Sequence, residues 1–360
     1  MDKVKMKNSL TKRLDQYAGS KAPGLQYLVI ESEETLFEYA GGWADIKNQV
    51  PMTLDHTMMA YSMTKTFTAV AVLQLVEEGE LALDDNIDTY LPDIPYNGQD
   101  ITVRHLVDHT SGIPNPIPLR WAHLESENTT FDEEAALSRV LQENSKLAFE
   151  PGEKFAYSNI GYWLLGVIIA HVSGQPYTDF VNSNILLPLG ISSQEMDFNI
   201  PDFDRHAKGY LAKYSMMNLV KRFFMDSKFW NGYEGNWLLI KNLNLNGPSF
   251  GGLVGTTRSF AQFLQDQLQA ESIILRPESK RLLEVQQSDN RGKPILMTLG
   301  WHIGGTNGLT YFFKEGGGGG YHSEMRLYPQ KDKASVMMVN RTNFNSRDFL
   351  NRVDEVILDS

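Results

Sequence analysis

Strand-length apolar runs cluster at the two ends of this chain, and that placement limits its folds more than any other feature. Near the start, 25–30 and 36–40 flank Ser32-Glu33-Glu34-Thr35, the pattern of a β-hairpin. From about 295 onward, 299–303, 309–313, 322–328 and 335–340 return to strand grammar. The stretch between, roughly 80–245, reads as helical patches broken by Pro and Gly. An amphipathic helix opens the chain, with Val4, Met6, Leu10, Leu14 and Tyr17 near helical period. A second is expected over 62–78, with Phe67, Val70, Leu73 and Val76 as its stripe and Gly79 at the C-cap position. A third covers 160–171, stopped by Gly174, and a last spans 346–358. The pattern implies an α+β fold with a helical insertion. Spacing alone leaves open whether the two strand groups share one sheet.

With 360 residues the chain can bury one large core or two domains without metal or disulfide staples. It contains no Cys, which excludes thiol nucleophiles, disulfides, iron–sulfur clusters and Cys-ligated zinc. Its net charge of −11 argues against non-specific nucleic-acid binding, which needs a basic face. No signal-peptide core is visible and no apolar stretch approaches the ~20 residues of a membrane span. As written this fits a cytoplasmic enzyme, and equally a processed periplasmic or secreted one. Oligomeric state is not legible.

No HExxH motif is present, and no metal is expected: His105 and His109 are four apart, but Gly112 and Pro114 follow too closely for a helical ligand pair. The glycine run at 316–320 has no helix after it, so a turn between strands is expected and not a phosphate cradle.

Ser62-Met63-Thr64-Lys65 is the first positive signal. On a helix, i and i+3 share a face, so the Lys65 amine meets the Ser62 hydroxyl and, if desolvated, can take its proton. An SxxK is expected about once by chance in such a chain. Ser9-Leu10-Thr11-Lys12 matches as well, with Ser9 read as a helix N-cap, and a cap is also the plain reading of Ser62. Tyr157 and Asn159 stand two apart just before a helix. There Tyr157 can act as base or acid if nearby cations lower its pKa, or can simply pack beside a capping residue. Lys314-Glu315-Gly316 ends a strand with a cation and closely approachable backbone. A competing nucleophile is Ser249 in Gly247-Pro248-Ser249-Phe250-Gly251, with Asp289 and His302 or His322 following. The glycines after it suit a loop better than the helix a nucleophile elbow requires.

Taken together, Ser62-xx-Lys65, Tyr157-x-Asn159 and Lys314-Glu315-Gly316 resemble the SxxK, YxN and KTG boxes of the serine β-lactamase and penicillin-binding-protein superfamily, closest to its class C and family VIII carboxylesterase branch. His105-Leu106-Val107-Asp108-His109-Thr110-Ser111-Gly112-Ile113-Pro114 is similar to that family's LLxHTSGLP segment. Phe149-Glu150-Pro151-Gly152, Gly161-Tyr162, Pro188-Leu189-Gly190, Gly251-Gly252-Leu253 and Ser323-Glu324-Met325-Arg326 match too, so the likeness covers about 20–345.

The resemblance implies an antiparallel sheet domain from 1–80 and 246–360, flanked by terminal helices. A mostly helical subdomain from 81–245 would face it across the active site. It implies Ser62 as nucleophile, Lys65 as its activating partner, Tyr157 as general base and acid, and Asn159 as a substrate-orienting side chain. Lys314 would tune Tyr157 and touch substrate, and the backbone N–H groups of Ser62 and Gly317 would form the oxyanion hole beside Gly316. No cofactor is implied. The substrate would be a small ester, amide or β-lactam cleaved through an acyl-enzyme. One departure stands out: Glu315 replaces the usual Thr or Ser. Aimed into the site, it would repel a substrate carboxylate unless it turns away or is neutralised by Lys314 or Arg326. That favours neutral esters or amides, or an amine-bearing substrate, over β-lactams and D,D-peptides. A non-catalytic binding or scaffold role is the remaining alternative. The aromatic stretch 214–237 reads as an acyl-binding wall or lid, or equally as core packing or an oligomer contact.

Overall fold

The computed structural model describes residues 3–19, 22–116, 120–306 and 308–358. The two strand groups do share one sheet. Six strands, β1 (Leu25–Ile30), β2 (Thr35–Gly41), β3 (His302–Thr306), β4 (Leu309–Gly317), β5 (His322–Tyr328) and β6 (Lys333–Val339), lie in the order β3-β4-β5-β6-β1-β2. All neighbours are antiparallel, and β1 meets β6 with Leu25 opposite Val339.

Every residue of β1 and β6 is buried because helices cover both faces of the sheet. Odd-numbered β1 residues Leu25, Tyr27 and Val29 join Met337 and Val339 against helix α1 (Lys3–Asp15) and the C-terminal helix (Ser346–Leu358). Leu28, Ile30, Val336 and Met338 face the other way, onto the helix Thr257–Leu268, in the core that α2 (Thr64–Glu78) shares. Beneath the first face Asp354 accepts hydrogen bonds from the hydroxyls of Tyr27, Tyr328 and Ser335 at 2.6, 2.7 and 2.7 Å, which ties the last helix to the sheet.

Helix α2 and its neighbour α3 (Asn159–Ser173) are apolar on nearly all sides and form the interior of the second layer. Each stops at a left-handed glycine, Gly79 and Gly174, at φ 76° and 70°.

Two local expectations change. Ser9 does not cap a helix: α1 begins at Lys3, so Ser9 lies in its second turn. The aromatic stretch is also not simply helical. After a helix at Met216–Phe224, strands Trp230–Glu234 and Trp237–Ile240 form a hairpin that pairs with Gly209–Ala212. Gly235 at φ 62° makes the tight reversal, and the flanking aromatics suit a pleated surface. Among the described residues, no helix is long and apolar enough to cross a membrane.

Candidate active site

Ser62 sits in a single 3-10 turn, Tyr61–Met63, that leads directly into α2. Tyr61 carries a left-handed backbone at φ 48°, a costly state for a bulky residue. Its side chain is pinned: the hydroxyl donates to the Gly319 carbonyl at 2.7 Å, and a Cβ at Gly318 would stand 2.4 Å from the ring. The strained residue therefore immediately precedes Ser62, which is the N-cap neither of this turn nor of α2, those being Ala60 and Met63.

Lys65, fully buried one turn later, has its Nζ 3.1 Å from Ser62 Oγ and donates to Asn159 Oδ1 at 2.7 Å. Its third partner is the Phe250 backbone carbonyl. A neutral amine has two N–H donors and one lone pair, and two of these partners are pure acceptors. The third, Ser62, is the one that can donate. Burial, and then the Lys314 charge, hold Lys65 well below the ordinary lysine value. Burial likewise brings Lys314 down to about 7.

Tyr157 also donates to Ser62 Oγ, at 2.7 Å. It arrives there because Ser158 caps α3, accepting from Gly161 N at 3.1 Å, so the flanking Tyr157 and Asn159 project toward α2. Burial chiefly raises the Tyr157 pKa, so the group is a phenol and not a phenolate. This bears on the expectation that nearby cations would make it a base.

Strand β4 closes the site. Pairing with β3 covers β4 only from Leu309 to Phe313, which leaves 314–317 unpaired on that edge. Ile303 N donates away from β4, to Leu296 O, so Phe313 points its backbone groups at β3. With period two, the N–H groups of Glu315 and Gly317 then turn onto the open edge. Gly316 lies against the turn that carries Ser62: a Cβ there would stand 2.0 Å from the Ala60 carbonyl and 3.0 Å from Ser62 N. Lys314 is wholly buried, its Nζ 5.6 Å from the Tyr157 ring centroid and 5.7 Å from that of Tyr162. Among the described residues it has no hydrogen-bond partner.

Glu315 does not point where Lys314 does. Alternation puts it on the sheet face covered by the terminal helices, where its carboxylate meets His322 Nε2 at 2.9 Å. That bond, with Arg347 nearby, holds its pKa below the usual glutamate value. Its side chain remains 41% exposed, so a negative charge persists beside the open edge. Arg326 is not free to neutralise it, being buried against Glu324 at 2.6 Å.

The rival serine is out of play. Ser249 lies in a short helix, Pro248–Gly251, 1% exposed, with its Oγ pressed on Gly166. Asp289 is occupied by the backbone of Arg291 and Lys293, His322 by Glu315, and His302 stacks beside Tyr157 with centroids 6.1 Å apart.

Three contributors were not singled out from the sequence. Asn115 Oδ1 accepts from both N and Nδ2 of Asn159 at 3.1 Å and so orients that amide. His109, buried with its ring 4.3 Å from Tyr157, accepts from Ser158 N at 3.1 Å. The Phe250 carbonyl is the third. His109 lies in a segment matched to the family without a role, so position alone could have flagged it.

Comparison with known proteins agrees with this fold. The family model described as Beta-lactamase matches residues 10–358. Penicillin-binding protein 4* of Bacillus subtilis (strain 168) is 27% identical over 318 residues, 87% of this chain and 67% of that protein. Protein flp of Staphylococcus aureus (strain MRSA252) is 32% identical over 192 residues, and the match spans only 38% of its length. Among solved structures, the octameric penicillin-binding protein homologue from Pyrococcus abyssi superposes with TM-score 0.79 at 23% identity, over 100% of this chain and 78% of that one. The D-amino acid amidase from Ochrobactrum anthropi SV3 gives 0.77 at 24% identity, over 99% of both chains. The chain belongs to the Beta-lactamase family, the superfamily of serine β-lactamases and penicillin-binding proteins, and is with it a serine hydrolase.

Proposed function

We propose that Ser62 is the nucleophile of an esterase or amidase and that Lys65 is the base that activates it. The observation that carries this is the Lys65 coordination. Its two N–H groups are taken by the carbonyls of Asn159 and Phe250, and its lone pair is left for the Ser62 proton. As Oγ bonds to the substrate carbonyl carbon, that proton moves to Lys65 Nζ. The oxyanion forms against the N–H groups of Ser62 and Gly317. Tyr157, a phenol hydrogen-bonded to Oγ, gives its proton to the departing group as the bond to carbon breaks. Lys65 returns its proton to the Tyr157 oxygen; water then attacks the acyl carbon, its proton passing to Lys65 and on to Ser62 Oγ as that ester bond breaks, which frees the acid and restores the site. Asn159 holds Lys65 in line, and Lys314 keeps it from protonating.

The carboxylate of Glu315 beside the open edge, where a hydroxyl would otherwise help hold a substrate carboxylate, favours neutral esters and amides over β-lactams. An amine-bearing amide is the second reading, supported by the same charge and by the fold shared with a D-amino acid amidase. A sheet domain of 1–80 and 246–360 and a subdomain of 81–245, with the site between, remains the division this mechanism uses.

The test is a panel of p-nitrophenyl butyrate, D-phenylalanine amide and nitrocefin. Expected is turnover of the ester or amide, abolished in Ser62→Ala, with nitrocefin at least about a hundredfold slower. Lys65→Ala should cost about a thousandfold on every substrate. Tyr157→Phe should spare the p-nitrophenyl ester, whose leaving group needs no proton, relative to the amide. Dominant nitrocefin turnover, or full activity of Ser62→Ala, overturns the reading.

A further inference from the structure

A cavity of about 710 Å³ opens beside the helix Met216–Phe224, within the usual size range of small-molecule sites. Its wall is mixed. Met225, Phe229 and Trp230 supply apolar surface, and Arg120 and Arg222 supply cations. Lys228 and Asp226 also line it but are engaged. Lys228 Nζ pairs with Glu127 at 2.8 Å, and Asp226 Oδ1 accepts from Lys228 N at 2.9 Å. Among the described residues neither Arg120 nor Arg222 forms an ion pair; Arg120 donates only to the Phe223 carbonyl at 3.4 Å. The Trp230 indole N–H, buried in the same wall, has no acceptor either. Unpaired donors therefore gather around one concavity in a chain whose net charge is −11.

The cavity adjoins the site along two contacts. Met225 lies on Gly319, where a Cβ would stand 2.4 Å from its Cε, and Gly319 O holds the Tyr61 hydroxyl next to Ser62. Trp121, between Arg120 and Ala122, packs on the Phe250 ring with centroids 6.1 Å apart, and the Phe250 carbonyl binds Lys65. Tyr157, which protonates the leaving group, is flanked by His302 and Phe155, and none of the three lines the cavity. The cavity is therefore assigned to the acyl end.

We propose that this cavity is an acyl-group subsite selecting acyl chains that end in an anion, with Arg120 and Arg222 as its specificity residues. The proposal rests on Ser62 hydrolysis as read above, and confines the preference for neutral substrates argued from Glu315 to the leaving-group end. The apolar wall takes the methylenes of the chain. The two guanidiniums, planar and weakly hydrated, take a terminal carboxylate.

The experiment compares kcat/KM for mono-p-nitrophenyl glutarate and p-nitrophenyl butyrate, which differ mainly in the terminal charge. Wild type should prefer the glutarate by about tenfold, and about 0.5 M salt should shrink that preference. In Arg120→Gln/Arg222→Gln the ratio should fall to about one. In Arg222→Glu it should fall below one, with thermal melts confirming that each variant is folded. A ratio near one in wild type, or an unchanged ratio in the double variant, overturns the subsite alone. Absence of turnover on both esters in wild type overturns the hydrolase reading instead.

Discussion

Two buried lysines in contact with the same tyrosine ring make Lys65 and Lys314 an electrostatic couple. A protonated Lys314 disfavours protonation of Lys65, so the amine that accepts the Ser62 proton stays unprotonated at lower pH than it would alone. Activity should rise with pH as Lys65 loses its proton. In Lys314→Met, removal of the neighbouring charge raises the Lys65 pKa, and the acid limb of kcat/KM should move to higher pH. A limb that stays in place or moves to lower pH would refute the coupling. The same lysine should destabilise the fold. With a folded pKa of about 7 against 10.5 for the ordinary group, the unfolded chain binds more protons between those values, so stability rises as pH rises through that window. Lys314→Met should accordingly raise the melting temperature at neutral pH by about 5 °C, the usual exchange of stability for a strained site.

At the scale of elements, the site is the meeting of a strand edge with the turn before a helix, and Gly316 sets how close they come. In Gly316→Ala the new methyl would press on the Ala60 carbonyl and the Ser62 N–H, forcing the oxyanion donors apart. Acylation should fall about a hundredfold, measured as the burst with a p-nitrophenyl ester, with far-UV spectra unchanged. A wild-type burst would show that this approach is not needed.

What could be read in advance at this scale follows from where the information lies. Ser62, Lys65, Tyr157 and Asn159 were legible because side-chain chemistry at helical or loop spacing is written in the residue types. The Phe250 carbonyl was not, since any residue supplies a carbonyl and only the fold aims it. Asn115 was hidden for a related reason: a loop amide gains meaning only once Asn159 is beside it. The side of the sheet that Glu315 occupies follows from strand parity, but only after Lys314 is known to face inward. The hairpin in 230–240 was missed because aromatic runs suit helix, strand and core alike.

For the whole molecule, the sheet is held between terminal helices by a few buried polar anchors. Asp354→Ala would strand the hydroxyls of Tyr27, Tyr328 and Ser335 beneath the C-terminal helix. A loss of about 3 kcal/mol in urea unfolding is expected, with a proportionate loss of activity only where the protein unfolds. A cost near zero would mean that apolar contacts alone seat this helix. The register of the six strands was beyond reach from the sequence, since runs buried on both faces carry no alternation to fix it.

The pairing of Leu25 with Val339 also has a consequence in time. Strand β4, which supplies Lys314, Gly316 and Gly317, is joined through β5 and β6 to strands from the opposite end of the chain. Such a sheet cannot assemble until β6 has emerged, long after β1. Until that ring closes, Ser62 and Lys65 lack the wall that desolvates them. The nucleophile should therefore stay unreactive until the sheet closes, so that its reactivity marks the moment at which the two strand groups have met.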